Sequence, residues 1–227
     1  MIVRNWMNPT PITVNSDMLV SKAKRVLVEQ NVRAVPVVDD GRLRGVLTRV
    51  CCLRAAELVT RTEDPFEFDY LANRLKVKDV MVRSPQTVDI DDSIGSCLRR
   101  GREARIGQFP VMNGDTVAGL VSASEVMSLA VELLGAMRDL GSISIGPMAI
   151  DPGTLADIAQ RVDATGATLE AIFTVARKED SGQRRVVVNF SGVPIQAVID
   201  AVTEAGYRVF EASGPVKAKN AFDKSAQ

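Results

Sequence analysis

The chain contains no histidine. That removes the side chain most used for general acid–base chemistry, for Ser/His/Asp constellations and for divalent metals near neutral pH, so a hydrolase is disfavoured. Cysteine is scarce: Cys51, Cys52 and Cys97 are an odd number, two of them adjacent, with no C-x-x-C spacing. Neither a disulfide framework nor a zinc site is expected, no metal ligands are assigned, and the thiols are expected to be reduced and buried. Neither sign of charge is in excess, with 28 Lys+Arg and 28 Asp+Glu. No global field favours nucleic acid or an anionic membrane, so partners have to be recognised locally. The start, MIVRNWMNPTPITV, has no charged-then-apolar signal pattern, and no apolar run reaches about 18 residues. A cytoplasmic chain is expected. Its 46% hydrophobic and 25% charged residues suit one or two globular units in 227 residues.

What is present is a repeat. "GVLTRVCC" (45–52) returns 74 positions later as "GLVSASEV" (119–126). The same offset places Met7 on Met81, "PITV" (11–14) on "PQTV" (85–88), Asp17 on Asp91, Arg25 on Arg99 and "PVV" (36–38) on "PVM" (110–112). One register without a gap marks two copies of one unit. Each copy reads as strand, helix, strand, turn, strand, helix. The first helix carries Val20, Ala23 and Leu27 on one side in copy one, and Ile94, Cys97 and Leu98 in copy two. "AVPVVDDGRLRGVLT" and "QFPVMNGDTVAGLVS" read as hairpins. The last helices open after the hydroxyls, at Arg49 and Ala123. Between the copies, "TEDPFEFDYLANRLK" reads as a connecting helix with Pro65 in its first turn and a packing role.

Residues from 139 to 213 follow another pattern. "GSISIGPMAI" reads as a strand, and "DPGTLADIAQRVDATG" as a helix with Leu155, Ile158, Ala159 and Val162 on one face. "TLEAIFTVARK" and "RRVVVNF" are strands, "VPIQAVIDAVTEAG" is a helix, and "YRVFEA" closes as a strand. The order βαββαβ implies a four-stranded antiparallel sheet with two helices on one face.

On "WMNPTPITV", "NVRAVPVVDDGRLRGVLT", "VMVRSPQTV" and "QFPVMNGDTVAGLVS", residues 1 to about 134 resemble a tandem pair of CBS domains. On "DPGTLADIA" and "EAGYRVFE", the later segment resembles an ACT domain. The combined architecture is similar to that of acetoin-utilisation protein B-like regulatory proteins. The fold class expected is α+β, with α/β character in the repeats. It comprises a first CBS domain (1–60), a connecting helix (61–76), a second CBS domain (77–134), a ferredoxin-like ACT domain (139–213) and a polar tail (214–227). The resemblance implies one pseudo-symmetric module with two clefts that hold adenosine-containing ligands such as AMP, ATP or S-adenosylmethionine, no required cofactor, and a homodimer.

CBS domains that hold adenosine end the hairpin in a hydroxyl and place an acid three residues on, where a carboxylate can accept from both ribose hydroxyls. Ser122 and Glu125 fit that pattern, with Glu for the usual Asp. The first copy keeps Thr48 but has Cys51, a weak acceptor. By resemblance the second cleft would use Ser84, Gln86, Thr87, Gln108, Phe109 and Pro110 for adenine, and the weaker first cleft Thr10, Ile12, Thr13, Ala34, Val35 and Pro36. Arg33, Arg83 and Arg105 stand near these segments for phosphates. Each has a plainer alternative: Ser122 and Glu125 as a capping box, the arginines as solvated surface charges. The helix start at Asp151, Pro152, Gly153 and Thr154 is a candidate amino-acid site, Asp151 capping and Pro152 in first position, or simply a helix start.

The function expected is a non-catalytic sensor that relays a small-molecule effector to an unidentified target enzyme or partner, without nucleic acid or membrane. An assembly protein with empty clefts is the alternative. An enzyme acting through Cys51 or Cys52 is remote, since only Arg49 and Arg54 are at hand to activate a thiolate.

Overall fold

The repeat register organises the first half of the computed structural model, which describes residues 1–214. In copy one, Val14 makes an isolated parallel bridge to Val37. Then follow α1 (Val20–Glu29), β1 (Ala34–Asp39), β2 (Arg42–Thr48) and α2 (Arg49–Arg61). The connecting helix α3 (Pro65–Asn73) and a single turn, α4 (Val77–Val80), lead into copy two. That copy comprises β3 (Val88–Asp89), α5 (Ile94–Ala104), β4 (Gln108–Asn113), β5 (Thr116–Ser122) and α6 (Ala123–Leu134). The hairpins share one register: Ala34 faces Thr48 as Gln108 faces Ser122, and each has a bulge at the same point, after Val37 and after Val111.

The helices bury the stripe that their spacing dictates, with one correction. Val20, Ala23 and Leu27 of α1 are buried, as are Ile94 and Cys97 of α5. Leu98, expected beside them, is 41% exposed. The reason is Gly101, where an added Cβ would lie 2.9 Å from the Ile106 carbonyl and 3.3 Å from the Phe109 ring. The helix therefore meets the hairpin along Ile94, Cys97 and Gly101, and Leu98 falls to the side, at the position that Lys24 fills in copy one.

Each copy's leading segment crosses to the other copy. Asn8 and Leu120 exchange backbone hydrogen bonds of 2.9 and 3.0 Å, and Val82 and Val46 do the same at 2.9 and 3.0 Å. The approach is so close that an added Cβ at Gly45 would lie 2.5 Å from the Val82 carbonyl, and one at Gly119 2.7 Å from that of Asn8. This is why both positions are glycine. Further out, the Val3 N–H donates to Asp92 and the Val77 N–H to Met18, each at 2.8 Å. Beside these bonds Arg4 pairs with Asp91 at 2.6 Å, and Lys78 and Lys76 pair with Asp17 at 2.7 and 3.0 Å. The five strands run β1-β2-β5-β4-β3, and β2 meets β5 through Arg42 and Thr116, themselves equivalent positions.

The chain divides into two compact units, Met1–Met127 and the part from Ser128 onward. The second contains β6 (Gly141–Met148), α7 (Thr154–Asp163), β7 (Thr168–Val175), β8 (Arg184–Ser191), α8 (Ile195–Glu204) and β9 (Val209–Ser213). These form an antiparallel sheet ordered β7-β8-β6-β9. Ile143, Ile145, Val186, Val188 and Phe190 share a core with Ile158 and Val162 of α7 and Val198 and Val202 of α8. Period-two alternation thus puts both helices on one face. The other face carries polar groups. Ser142 Oγ donates to Asn189 Oδ1 at 2.8 Å, Asn189 Nδ2 donates to the Leu134 carbonyl at 3.2 Å, and buried Arg185 holds Asp180 through two bonds of 3.0 and 2.8 Å. Residues 215–227, most of the expected polar tail, lie outside the described residues. Among the described residues, no helix is long and apolar enough to cross a membrane.

Candidate functional site

The strands β2 and β5 meet at their first residues. Near their last residues, the hairpin ends of both copies border a hollow of about 660 Å³. Equivalent positions line it together: Arg33 with Gly107, Ala34 with Gln108, and Arg49 with Ala123. The hollow therefore straddles the pseudo-two-fold relation between the copies. Its chemistry is lopsided, because copy one supplies two guanidinium groups and copy two supplies Ser122, Ser124 and Glu125.

On the second copy's side, the Ser122 N–H and hydroxyl both donate to Glu125 Oε2, at 2.7 and 2.6 Å. Ser122 Oγ in turn accepts from the Ser124 N–H at 3.2 Å. This is a form of capping box at the start of α6, so the capping reading holds. It commits one carboxylate oxygen only. Among the described residues Oε1 has no hydrogen-bond partner, and an ionised carboxylate oxygen accepts along two lone pairs, enough for one or both hydroxyls of a diol.

The first copy is built otherwise. Thr48 Oγ1 accepts from the Cys51 N–H at 3.2 Å and lies 3.1 Å from Cys51 Sγ. Cys51 belongs to the core of copy one and is not part of the wall. Burial raises the Cys52 and Cys97 thiols above their ordinary range, which keeps them protonated and poorly nucleophilic.

Arg49 is positioned by three bonds: Nε to the Val32 carbonyl (2.9 Å), Nη2 to the Leu27 carbonyl (3.1 Å) and Nη2 to Asn31 Oδ1 (3.4 Å). It satisfies carbonyls at and beyond the end of α1 while keeping its charge at the wall. Arg33 is exposed beside it, with no ion pair among the described residues.

Of the residues expected from sequence, Arg33, Ala34, Gln108, Ser122 and Glu125 come together on this wall. The others do not. Val35 and Phe109 alternate inward on their strands and are buried in the core, and Pro36 and Pro110 are buried as well. Thr10, Ile12, Thr13, Ser84 and Gln86 are exposed off the wall, while the Thr87 carbonyl accepts from Arg100 at 2.6 Å. Arg83 donates to the Lys78 carbonyl, and Arg105 ends α5 in a left-handed conformation. The sequence reading missed Arg49, Asn8 and Asn31 as wall residues. Arg49 directly follows the hydroxyl already singled out, which was the available signal; Asn8 reaches the wall only because its segment crosses between copies.

In the second unit, Asp151 does not cap. Gly153, at φ +93°, precedes α7 without a side-chain cap, and the Asp151 N–H instead donates to Thr154 Oγ1 at 3.2 Å. Pro152 accordingly lies before the helix, and Asp151, Pro152 and Gly153 are exposed.

Two interlocked repeats with a hollow bordered by both hairpins define a tandem repeat module rather than two independent domains. The CBS domain family model matches residues 3–57 and 77–132, and the chain accordingly carries a tandem pair of CBS domains. A CBS domain-containing protein of Dictyostelium discoideum is 26% identical over 141 residues, covering 59% of this chain and 93% of the relative. Other curated relatives are longer, and the chain spans 23% to 39% of them. Among solved structures, a Vibrio cholerae protein named for acetoin utilization (AcuB) is similar at TM-score 0.52 and 22% identity, over 60% of this chain and 95% of that one. CBSX2, solved in complex with AMP, is similar at TM-score 0.50 and 23% identity, over 60% of this chain and 98% of that one. These likenesses establish a shared fold.

Proposed function

We propose that the protein is a non-catalytic, cytoplasmic regulator whose CBS pair senses an adenosine-containing ligand. The observation that carries this reading is the Ser122–Glu125 wall facing Arg33 and Arg49 across one hollow. The carboxylate suits a ribose diol and the guanidinium groups suit phosphate, so AMP or ATP fits the charge pattern better than the cationic S-adenosylmethionine. A ligand that binds one packing of the repeats better than another shifts their equilibrium, and that difference is what a partner would read. The protein is a homodimer, and its βαββαβ unit is an ACT domain with the Asp151–Thr154 turn as its candidate amino-acid site.

Thermal unfolding with AMP, ATP and S-adenosylmethionine tests this. A ligand at 100 times its dissociation constant stabilises the folded state by about 2.7 kcal/mol. The expected result is a raised melting temperature with AMP or ATP, a much smaller rise for Glu125→Ala, and an unchanged rise for Cys51→Ala. Equal loss in both variants would contradict the asymmetry of the copies. The rival reading, an assembly protein with an empty hollow, draws on the bonds that already occupy Glu125 Oε2. It requires that no nucleotide shifts the wild-type chain.

A further inference from the structure

Helix α6 begins in one compact unit and ends in the other, since Met127 and Ser128, where the units divide, are consecutive residues within it. Its 12 residues, at about 1.5 Å each, span about 18 Å with no loop between the ends. At its start stands the hollow, whose wall includes Ala123, Ser124, Glu125 and Met127. The first turn is held by the Ser122 N–H and hydroxyl, both donating to Glu125 Oε2. A diol bound by Glu125 draws on the carboxylate that caps this turn, so occupancy bears directly on the start of α6.

At its other end the helix is fastened to the sheet of the second unit. Gly135, at φ +60°, closes it in a Schellman turn: its N–H donates to the Glu132 carbonyl at 3.2 Å, and that of Ala136 to the Val131 carbonyl at 3.0 Å. The Leu134 carbonyl accepts from Asn189 Nδ2, and Asn189 Oδ1 accepts from Ser142. Beyond the turn, Arg138 pairs with Glu170 at 2.9 Å, and Glu170 accepts from Ser191 at 3.1 Å. These contacts tie the helix end to β6, β7 and β8. Asn189 is 3% exposed, and an amide buried so deeply needs its partners: here they are a strand and the end of α6.

We propose that α6 transmits occupancy of the hollow to the sheet of the second unit, with Asn189 as the positioning residue that fixes its far end. This rests on the sensor reading and names the route by which the site is read. A continuous helix has no soft backbone joint between its ends, so a change in how its first turn is held is felt at its last. Linkage makes the effect reciprocal. Loosening the Asn189 end changes nucleotide affinity by the same factor as the nucleotide changes the equilibrium of the sheet.

Hydrogen exchange of the full chain, with and without saturating AMP or ATP, tests this. In the wild-type chain, nucleotide is expected to slow exchange at the wall, in residues 107–108 and 122–127, and also in β6 and β8 by about fivefold or more. Inserting Gly-Ser-Gly-Ser between Met127 and Ser128 keeps the response of the wall and abolishes that of the sheet. Asn189→Ala, which leaves α6 unbroken, cuts the response of the sheet to below about twofold and shifts nucleotide affinity by a similar factor. Each variant is compared with itself, with and without nucleotide, so a merely structural loss of stability cancels. Circular dichroism shows whether the insertion folds, and Asn189→Ala supplies the answer where it does not. No response at the wall of the wild-type chain would overturn the sensor reading, and the route with it. A response of the wall without one in the sheet, or a sheet response that either folded variant leaves intact, would overturn only the route through α6.

Discussion

Thr48 and Ser122 stand at the same point of the two copies, each ending a hairpin and opening a helix. Three residues on, copy one places a thiol in its core and copy two places a carboxylate at the hollow. The surrounding frame is nearly invariant: equivalent residues make the crossing strands, the close glycines and the outer hydrogen bonds. The difference teaches that the copies keep equivalent positions at their joints even where the residues differ, as at Asn8 and Val82, while the side chains that line the hollow differ in chemistry.

The strongest way to break this comparison is to fill the close approaches. Gly45→Val and Gly119→Val each drive a side chain into the opposing backbone and are expected to cost about 3 kcal/mol, nearly equally. Urea unfolding of the two variants measures it, and tolerance at either position would mean that the crossings are not equivalent. A smaller effect separates the two roles of Glu125. Glu125→Ala is expected to lose about 1 kcal/mol without any ligand because the cap is lost. Glu125→Gln keeps an acceptor for Ser122 and nearly full stability, yet turns a donor towards the diol and loses the nucleotide-induced rise in melting temperature.

The smallest effect concerns the exposed pairs. Hydrogen bonds from Lys78 and then Lys76 lower the Asp17 carboxyl to about 2 from its ordinary 3.8. A carboxyl depressed in the folded state adds stability that is complete above the unfolded value and fades as pH falls from about 4 towards 2. Asp17→Asn should therefore flatten that part of the acid limb slightly, as urea midpoints between pH 5 and pH 2 would register. Solvent screening of so exposed a group keeps the change modest.

Much of this was legible in the sequence. The register predicted both hairpins, the helices opening at Arg49 and Ala123, the three buried cysteines and the βαββαβ order, because apolar periodicity and turn residues encode them locally. The crossing was not legible: a repeat says that Met7 and Met81 are equivalent but not which copy each one pairs with. Leu98 was misplaced because face assignment at i+4 ignored the groove that Gly101 opens. Val35 and Phe109 were misassigned because the resemblance named a strand segment, while alternation sends neighbouring side chains to opposite sides. The connecting helix was read as packing, yet Phe66, Phe68 and Tyr70 of α3 are exposed, which spacing alone does not reveal.

The crossing of leading segments has a consequence for the covalent chain itself. A polypeptide holding one repeat would lack the strand that its own hairpin expects, and would have to borrow it from another molecule at whatever concentration the cell provides. Fusion replaces that encounter with a tethered one, whose effective concentration is set by the linker through α3. Cutting that linker should therefore leave halves that still recognise one another, but only by mass action.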